Sequence, residues 1–166
     1  FETRRSVLIP NSYSYRLYEN KEEIANLFQR TGVKCPKSYL FNSIEEAMSV
    51  PMSFPVVIKH PFSCASNFML QAYNKEEFHD GLKSFFNNFS ECLVQEKIRF
   101  TREARVTFVG DEAIHGFFRH KKNEETMSAS TAFGSYLSFD INLEKMSEHI
   151  KDLRRRTNIE IGAVDM

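Results

Sequence analysis

No charge of one sign dominates this sequence. Its 22 lysines and arginines are matched by 22 aspartates and glutamates, a formal net charge of zero. That balance argues against a large electrostatic footprint for nucleic acid or an anionic membrane. No apolar run reaches the length that spans a bilayer, and no signal-peptide pattern is present. Cysteine is scarce as well. The three residues Cys35, Cys64 and Cys92 are odd in number and far apart, which fits neither a disulfide framework nor a zinc site. A reducing cytoplasm is the simplest compartment. Tryptophan is absent, but 16 phenylalanines are present, and the 166 residues are 42% apolar and 27% charged. Such a chain is globular and long enough to bury a sizeable core.

Helix starts are clearly marked. Asn20-Lys21-Glu22-Glu23, Ser43-Ile44-Glu45-Glu46 and Asn74-Lys75-Glu76-Glu77 each place an N-cap residue three positions before an acid. The first box opens a helix carrying Ile24, Leu27 and Phe28, which Gly32 can end. The third opens the clearest helix, with Phe78, Leu82, Phe85, Phe86 and Phe89 on one face. Asn142 can cap a last helix that ends in Arg154, Arg155 and Arg156, where cations suit the helix dipole. Tyr39–Phe41 and Cys92–Val94 read as strands. Ala104–Val109 and Glu112–Phe118 read as two more, joined by the two-residue turn Gly110-Asp111. Residues up to Tyr18 read as a lead-in, and His120–Ser130 as a loop. The irregular alternation predicts an α+β fold of two small lobes, with segments 1–19, 20–91 and 92–166.

Phe54–Leu70 is the stretch around which the rest is arranged. Pro55 opens the β-branched run Val56-Val57-Ile58, Lys59 follows, and Ser63, Cys64, Ala65 and Ser66 form a small-residue loop before a second apolar run. Strand, lysine and small-residue loop could hold a polyphosphate with one cation and several backbone donors. A plain hairpin with a snorkelling lysine gives the same local pattern and is commoner. No glycine occurs in this stretch.

In order and spacing, the pieces resemble the ATP-grasp superfamily from about Leu8 to Met166. Gly32-Val33-Lys34-Cys35-Pro36-Lys37-Ser38 resembles the family's turn, and Phe54–Lys59 resembles its "fPvvvKp" strand. Leu93–Ile98 (LVQEKI) resembles the adenine-cradling linker, residues 102–119 the following hairpin, and Ile161–Met166 (IGAVDM) the strand with a metal-binding acid. The interval from Arg119 to Asp165 is similar to that of carboxylate–amine ligases of the ribosomal-protein glutamate-ligase type.

The resemblance implies ATP and Mg²⁺ as cofactors, with the nucleotide held between two lobes. It implies small-molecule or peptide carboxylate and amine substrates joined through an acylphosphate, and a homo-oligomer is compatible with it. Lys59 and Lys21 would hold phosphates, with Ser63 and Cys64 in the loop over them. Gln95, Glu96, Lys97 and Ile98 would surround adenine. Arg119 would be catalytic and Asp165 would ligate the metal. Lys21 and Glu96 read equally well as solvated surface residues, and a lone strand histidine such as His115 reads as packing. Nothing around Cys64 lowers a thiol pKa, so it is not read as a nucleophile. With a regular Gly110-Asp111 hairpin, Arg105 pairs with Gly116 and points away from Arg119; on that register Arg105 is structural.

The chain starts at Phe1 and stops at Met166, before the family's second metal motif. It is therefore expected to be the ATP-binding part of a larger ligase, incomplete in its last lobe and weak or inactive alone. An ATP-grasp kinase of the inositol-phosphate type is the second reading, and a binding or scaffold domain that keeps the fold without the chemistry is the third.

Overall fold

The computed structural model describes residues 9–62, 69–123, 126 and 128–166. They form two compact units. One comprises Glu19–Arg30 and Lys34–Arg99; the other comprises Thr31–Val33, Phe100–Met166 and the described residues up to Tyr18. The fold class is α+β, as expected.

In the first unit, helix α2 (Lys21–Thr31) starts where Asn20 Oδ1 accepts the amides of Glu22 and Glu23. Strand β1 (Ser38–Phe41), helix α3 (Ile44–Ser49), strands β2 (Val56–Lys59) and β3 (Met69–Ala72), helix α4 (Lys75–Phe86) and strand β4 (Cys92–Glu96) follow. Ser43 and Asn74 cap α3 and α4 by accepting the amides of Glu46 and Glu77. The antiparallel sheet runs β1-β4-β2-β3. Its register aligns Ile58 with Val94 and Leu70, and Val56 with Ala72. With period-two alternation these residues share the face buried under Phe78, Leu82 and Phe85 of α4. At Gly81 a Cβ would lie 2.9 Å from Ile58 Cδ1, so the missing side chain sets how closely α4 approaches the sheet. The opposite face carries Lys59, Leu93 and Gln95.

One boundary is corrected. The expected division after residue 91 falls inside this unit, because β4 is the inner strand that joins β1 to β2, and the unit continues to Arg99. An apolar strand flanked by two partners belongs to the sheet it completes.

The second unit is built on the hairpin β5 (Arg102–Val109) and β6 (Glu112–His120), turned at Gly110 with φ +58°. Strand β7 (Tyr136–Ser138) adds beside β6 and strand β8 (Ile161–Asp165) beside β5, giving the order β7-β6-β5-β8. Helix α5 (Leu143–Thr157) is capped by Asn142, whose Oδ1 accepts the Lys145 amide at 2.8 Å, and closed by left-handed Asn158. One sheet face is covered on the α5 side: a Cβ at Gly116 would meet Ile141 and Leu143 at 3.2 and 3.3 Å.

The hairpin is not regular. Thr107 pairs with His115 but Phe108 pairs with Ala113, so Ile114 is an extra residue in β6. Arg105 therefore pairs with Phe117, not Gly116. The lead-in also differs from expectation: Ser12–Glu19 forms helix α1, with Leu17 buried and Tyr13 donating to the Thr157 carbonyl at 3.0 Å. Among the described residues no helix is long and apolar enough to cross a membrane.

Candidate functional site

Among the described residues two polar clusters stand out, one in each unit: the first on the sheet face opposite α4, the second on the face opposite α5. In the first unit, Lys59 ends β2, and its Nζ donates to Gln95 Oε1 at 2.6 Å. Gln95 Nε2 donates in turn to Ser38 Oγ at 2.7 Å. The three residues lie on adjacent strands β2, β4 and β1, so the sheet register sets this chain of contacts. Among the described residues no carboxylate is bonded to the ammonium. Loss of water around Lys59, aided by the charge of Lys21, lowers its pKa to about 8. Lys21 thus lies within electrostatic reach of Lys59, and its amide anchors the start of α2 on the Pro61 carbonyl at 3.1 Å.

Lys97 has the parity of Gln95. Its Nζ donates to Gln71 Oε1 at 2.6 Å and to the Tyr73 hydroxyl at 2.9 Å, and it lies 4.8 Å from the Tyr73 ring centre. The Glu96 side chain alternates to the other face, and its backbone amide donates within the sheet to the Lys37 carbonyl at 2.9 Å. Ile98 follows the strand and is half exposed. The structure therefore brings Lys59, Gln95 and Lys97 to one face and leaves Glu96 on the other. Ser63 and Cys64 lie outside the described residues. Ser38, Gln71 and Tyr73 escaped the sequence reading; their signal was the polar alternation of Gln71 and Tyr73 through an otherwise apolar strand.

In the second unit the bulge at Ile114 changes which side chains meet. Arg105 and Arg119 lie on the same face, a correction to the opposite-face expectation that follows from one extra residue. Arg105 Nη1 reaches both oxygens of Asp165, its partner across β5 and β8, at 3.1 and 3.0 Å. Arg119 Nη2 contacts Asp165 Oδ1 at 2.8 Å and Glu103 Oε1 at 2.5 Å. The Arg119 and Glu103 side chains are only 19% and 21% exposed. Arg119 Nε is buried with no partner among the described residues, which leaves one donor for a further acceptor. Burial lifts the Glu103 carboxyl above its usual range, against the downward pull of Arg119. Two cations and two anions thus form one network over the sheet. Glu103 and Arg105 were missed as site residues; the signal was their i,i+2 spacing on one strand face.

As a donor set, Asp165 and Glu103 do not make a protein cage for a metal, and no group of three or more candidate ligands occurs among the described residues. The set fits a magnesium ion that shares one or two carboxylates with phosphate oxygens.

No family model matches the chain. It is 26% identical over 163 residues to the alpha-aminoadipate–LysW ligase LysX of Sulfurisphaera tokodaii, covering 92% of this chain and 56% of that protein. It is 28% identical over 148 residues to the coenzyme gamma-F420-2:alpha-L-glutamate ligase of Methanocaldococcus jannaschii, covering 82% of this chain and 50% of that one. Among solved structures, the RimK domain ATP-grasp protein of Sphaerobacter thermophilus superposes with a TM-score of 0.67 at 13% identity, over 94% of this chain and 56% of that one. The chain thus spans about half the length of these relatives. Its fold is that of the ATP-grasp proteins, and in sequence the chain is similar to two ligases.

Proposed function

We propose that this chain supplies the ATP-dependent step of a carboxylate–amine ligase that works through an acylphosphate. The observation that carries the reading is the convergence of Arg105, Arg119 and Asp165 on one sheet face. Phosphoryl transfer leaves little covalent work for a protein; it needs cations around the moving group and a carboxylate for the metal. A planar guanidinium grips two oxygens at once. Arg119, whose buried Nε has no partner among the described residues, is suited to the transferring phosphoryl group. Asp165 would hold magnesium, which when bound offsets the charge on the phosphate oxygens.

In the first unit, Lys59 is bonded to the neutral Gln95 side chain and is suited to an anionic phosphate, with Lys21 as a second cation. Gln95, Lys97 and the strand end at Ile98 would bind the nucleotide base. An oxygen of the acceptor carboxylate attacks the γ-phosphorus of ATP, the bond to the bridging oxygen breaks, and ADP leaves. An amine then attacks the acyl carbon and inorganic phosphate departs. The carboxylate and the amine are small molecules or peptides, and dependence on ATP suits a cytoplasmic setting.

The test is hydroxylamine trapping. The chain is incubated with Mg-ATP, hydroxylamine and a panel of mono- and dicarboxylates, and hydroxamate and ADP are measured together. Carboxylate-dependent hydroxamate that disappears in Arg119→Ala is the expected result. ADP release that ignores the carboxylate, with no hydroxamate, would reject the ligase reading.

A further inference from the structure

The site face of the second unit is divided in its chemistry. Strand register orders it into rows. Across β7, β6 and β5 one row reads Leu137, Arg119, Glu103. The next reads Phe117, Arg105, Asp165 across β6, β5 and β8. Phe139, just past β7, extends this second row: its ring centre lies 6.0 Å from that of Phe117. The charged half therefore lies toward β8, and an apolar half lies toward β7. Leu137 is 40% exposed and Phe139 67% exposed, although both adjoin a half-buried arginine network. His115 also shares this face, with its ring 5.7 Å from Phe117. Both guanidiniums are already matched by Glu103 and Asp165, so neither is a spare cation for a second acid group.

We propose that the carboxylate accepted at this face is a monocarboxylate with an apolar, preferably aromatic, side chain, selected by Leu137 and Phe139. This rests on the ligase reading above. The carboxyl group must lie at the charged half, where Arg119 meets the phosphoryl group. The rest of the molecule then extends over Leu137, Phe139 and Phe117. An apolar side chain removes that exposed surface from water. A second carboxylate there is stripped of water among Leu137, Phe139 and Phe117, beside guanidiniums already bonded to Glu103 and Asp165, which disfavours dicarboxylates.

The experiment measures binding of 3-phenylpropionate and glutarate by ligand-observed NMR at pH 8, where imidazoles are ordinarily neutral. Nucleotide is left out, so binding is read apart from turnover. The full chain is compared with Phe139→Lys and Leu137→Lys, both surface changes, and thermal unfolding checks that each variant folds. The expected result is a preference for 3-phenylpropionate of about tenfold or more, reversed toward glutarate by either lysine. Equal or tighter glutarate binding by the unchanged chain overturns the proposal. So does a preference that neither variant moves, or no binding of either acid. Carboxylate-dependent ADP release is measured alongside. Release that favours glutarate refutes the selectivity alone. Absence of any carboxylate dependence, with 3-phenylpropionate still bound through Phe139, refutes the ligase reading and leaves the apolar subsite standing.

Discussion

The two units hold their cations in opposite ways. Lys59 is partly withdrawn from water and bonded to an amide oxygen, with no anion attached among the described residues. Arg105 and Arg119 are equally fixed but already neutralised by Asp165 and Glu103. The first arrangement keeps a positive charge in a poor solvent, so an arriving anion is met without losing an existing partner. The second is close to electroneutral, so an arriving phosphate must compete with the carboxylates already in place. One sheet stores electrostatic demand and the other stores geometry.

The register that the bulge sets is the place to break this contrast most severely. Deleting Phe118, between Phe117 and Arg119, moves Arg119 opposite Ala104 and so to the face that α5 covers. Carboxylate-dependent ADP release should fall to background, and the thermal midpoint should drop with it; a variant that keeps its activity would show that Arg119 need not share a face with Arg105. Arg119→Ala is next. It leaves Glu103 half-buried and unpaired, so stability should fall by about 2 kcal/mol and turnover by about a hundredfold or more. Adding Glu103→Gln should recover part of the stability and none of the turnover, as read from denaturant unfolding and steady-state rates.

Lys59→Ala sharpens the other side. Mg-ATP binding should weaken about tenfold, or about 1.4 kcal/mol, in a calorimetric titration, whereas Lys59→Met should leave stability at pH 7 unchanged or higher. The sign follows from the lowered pKa. Unfolded lysine binds its proton up to the ordinary 10.5 and folded Lys59 only to about 8, so its contribution to stability rises with pH between these values. The smallest effect is a proton count. A phosphate beside Lys59 raises its pKa again, so binding at pH 8 should take up a fraction of a proton, visible as a dependence of the heat on buffer ionisation and absent in Lys59→Met.

Local chemistry was legible in the sequence. The caps at Asn20, Ser43, Asn74 and Asn142 each depend on residues three positions apart, and the Gly110-Asp111 turn on two adjacent ones. Long-range placement was not. The bulge at Ile114 is fixed by what β6 must pair with and cover, and no residue in the hairpin announces it. Helix α1 is written in serines and tyrosines of modest helical propensity and is held by the burial of Leu17 and by Tyr13 reaching Thr157. Strand β7 is three residues long, too short for alternation to register. The Lys59–Gln95–Ser38 chain joins three strands, and its members are recognisable only once their register is known.

The second unit is interrupted in sequence by the first. Tyr13 bonds to a carbonyl 144 positions later, and β8 pairs with β5 across some fifty intervening residues. The first unit has its longest strand pairing, β1 with β4, complete once Glu96 has been made. During synthesis the first unit can therefore close while α1 still lacks the elements it packs on. Loop-closure entropy favours the shorter contacts first. The order of assembly, inner unit before outer, is built into the order in which the chain is written.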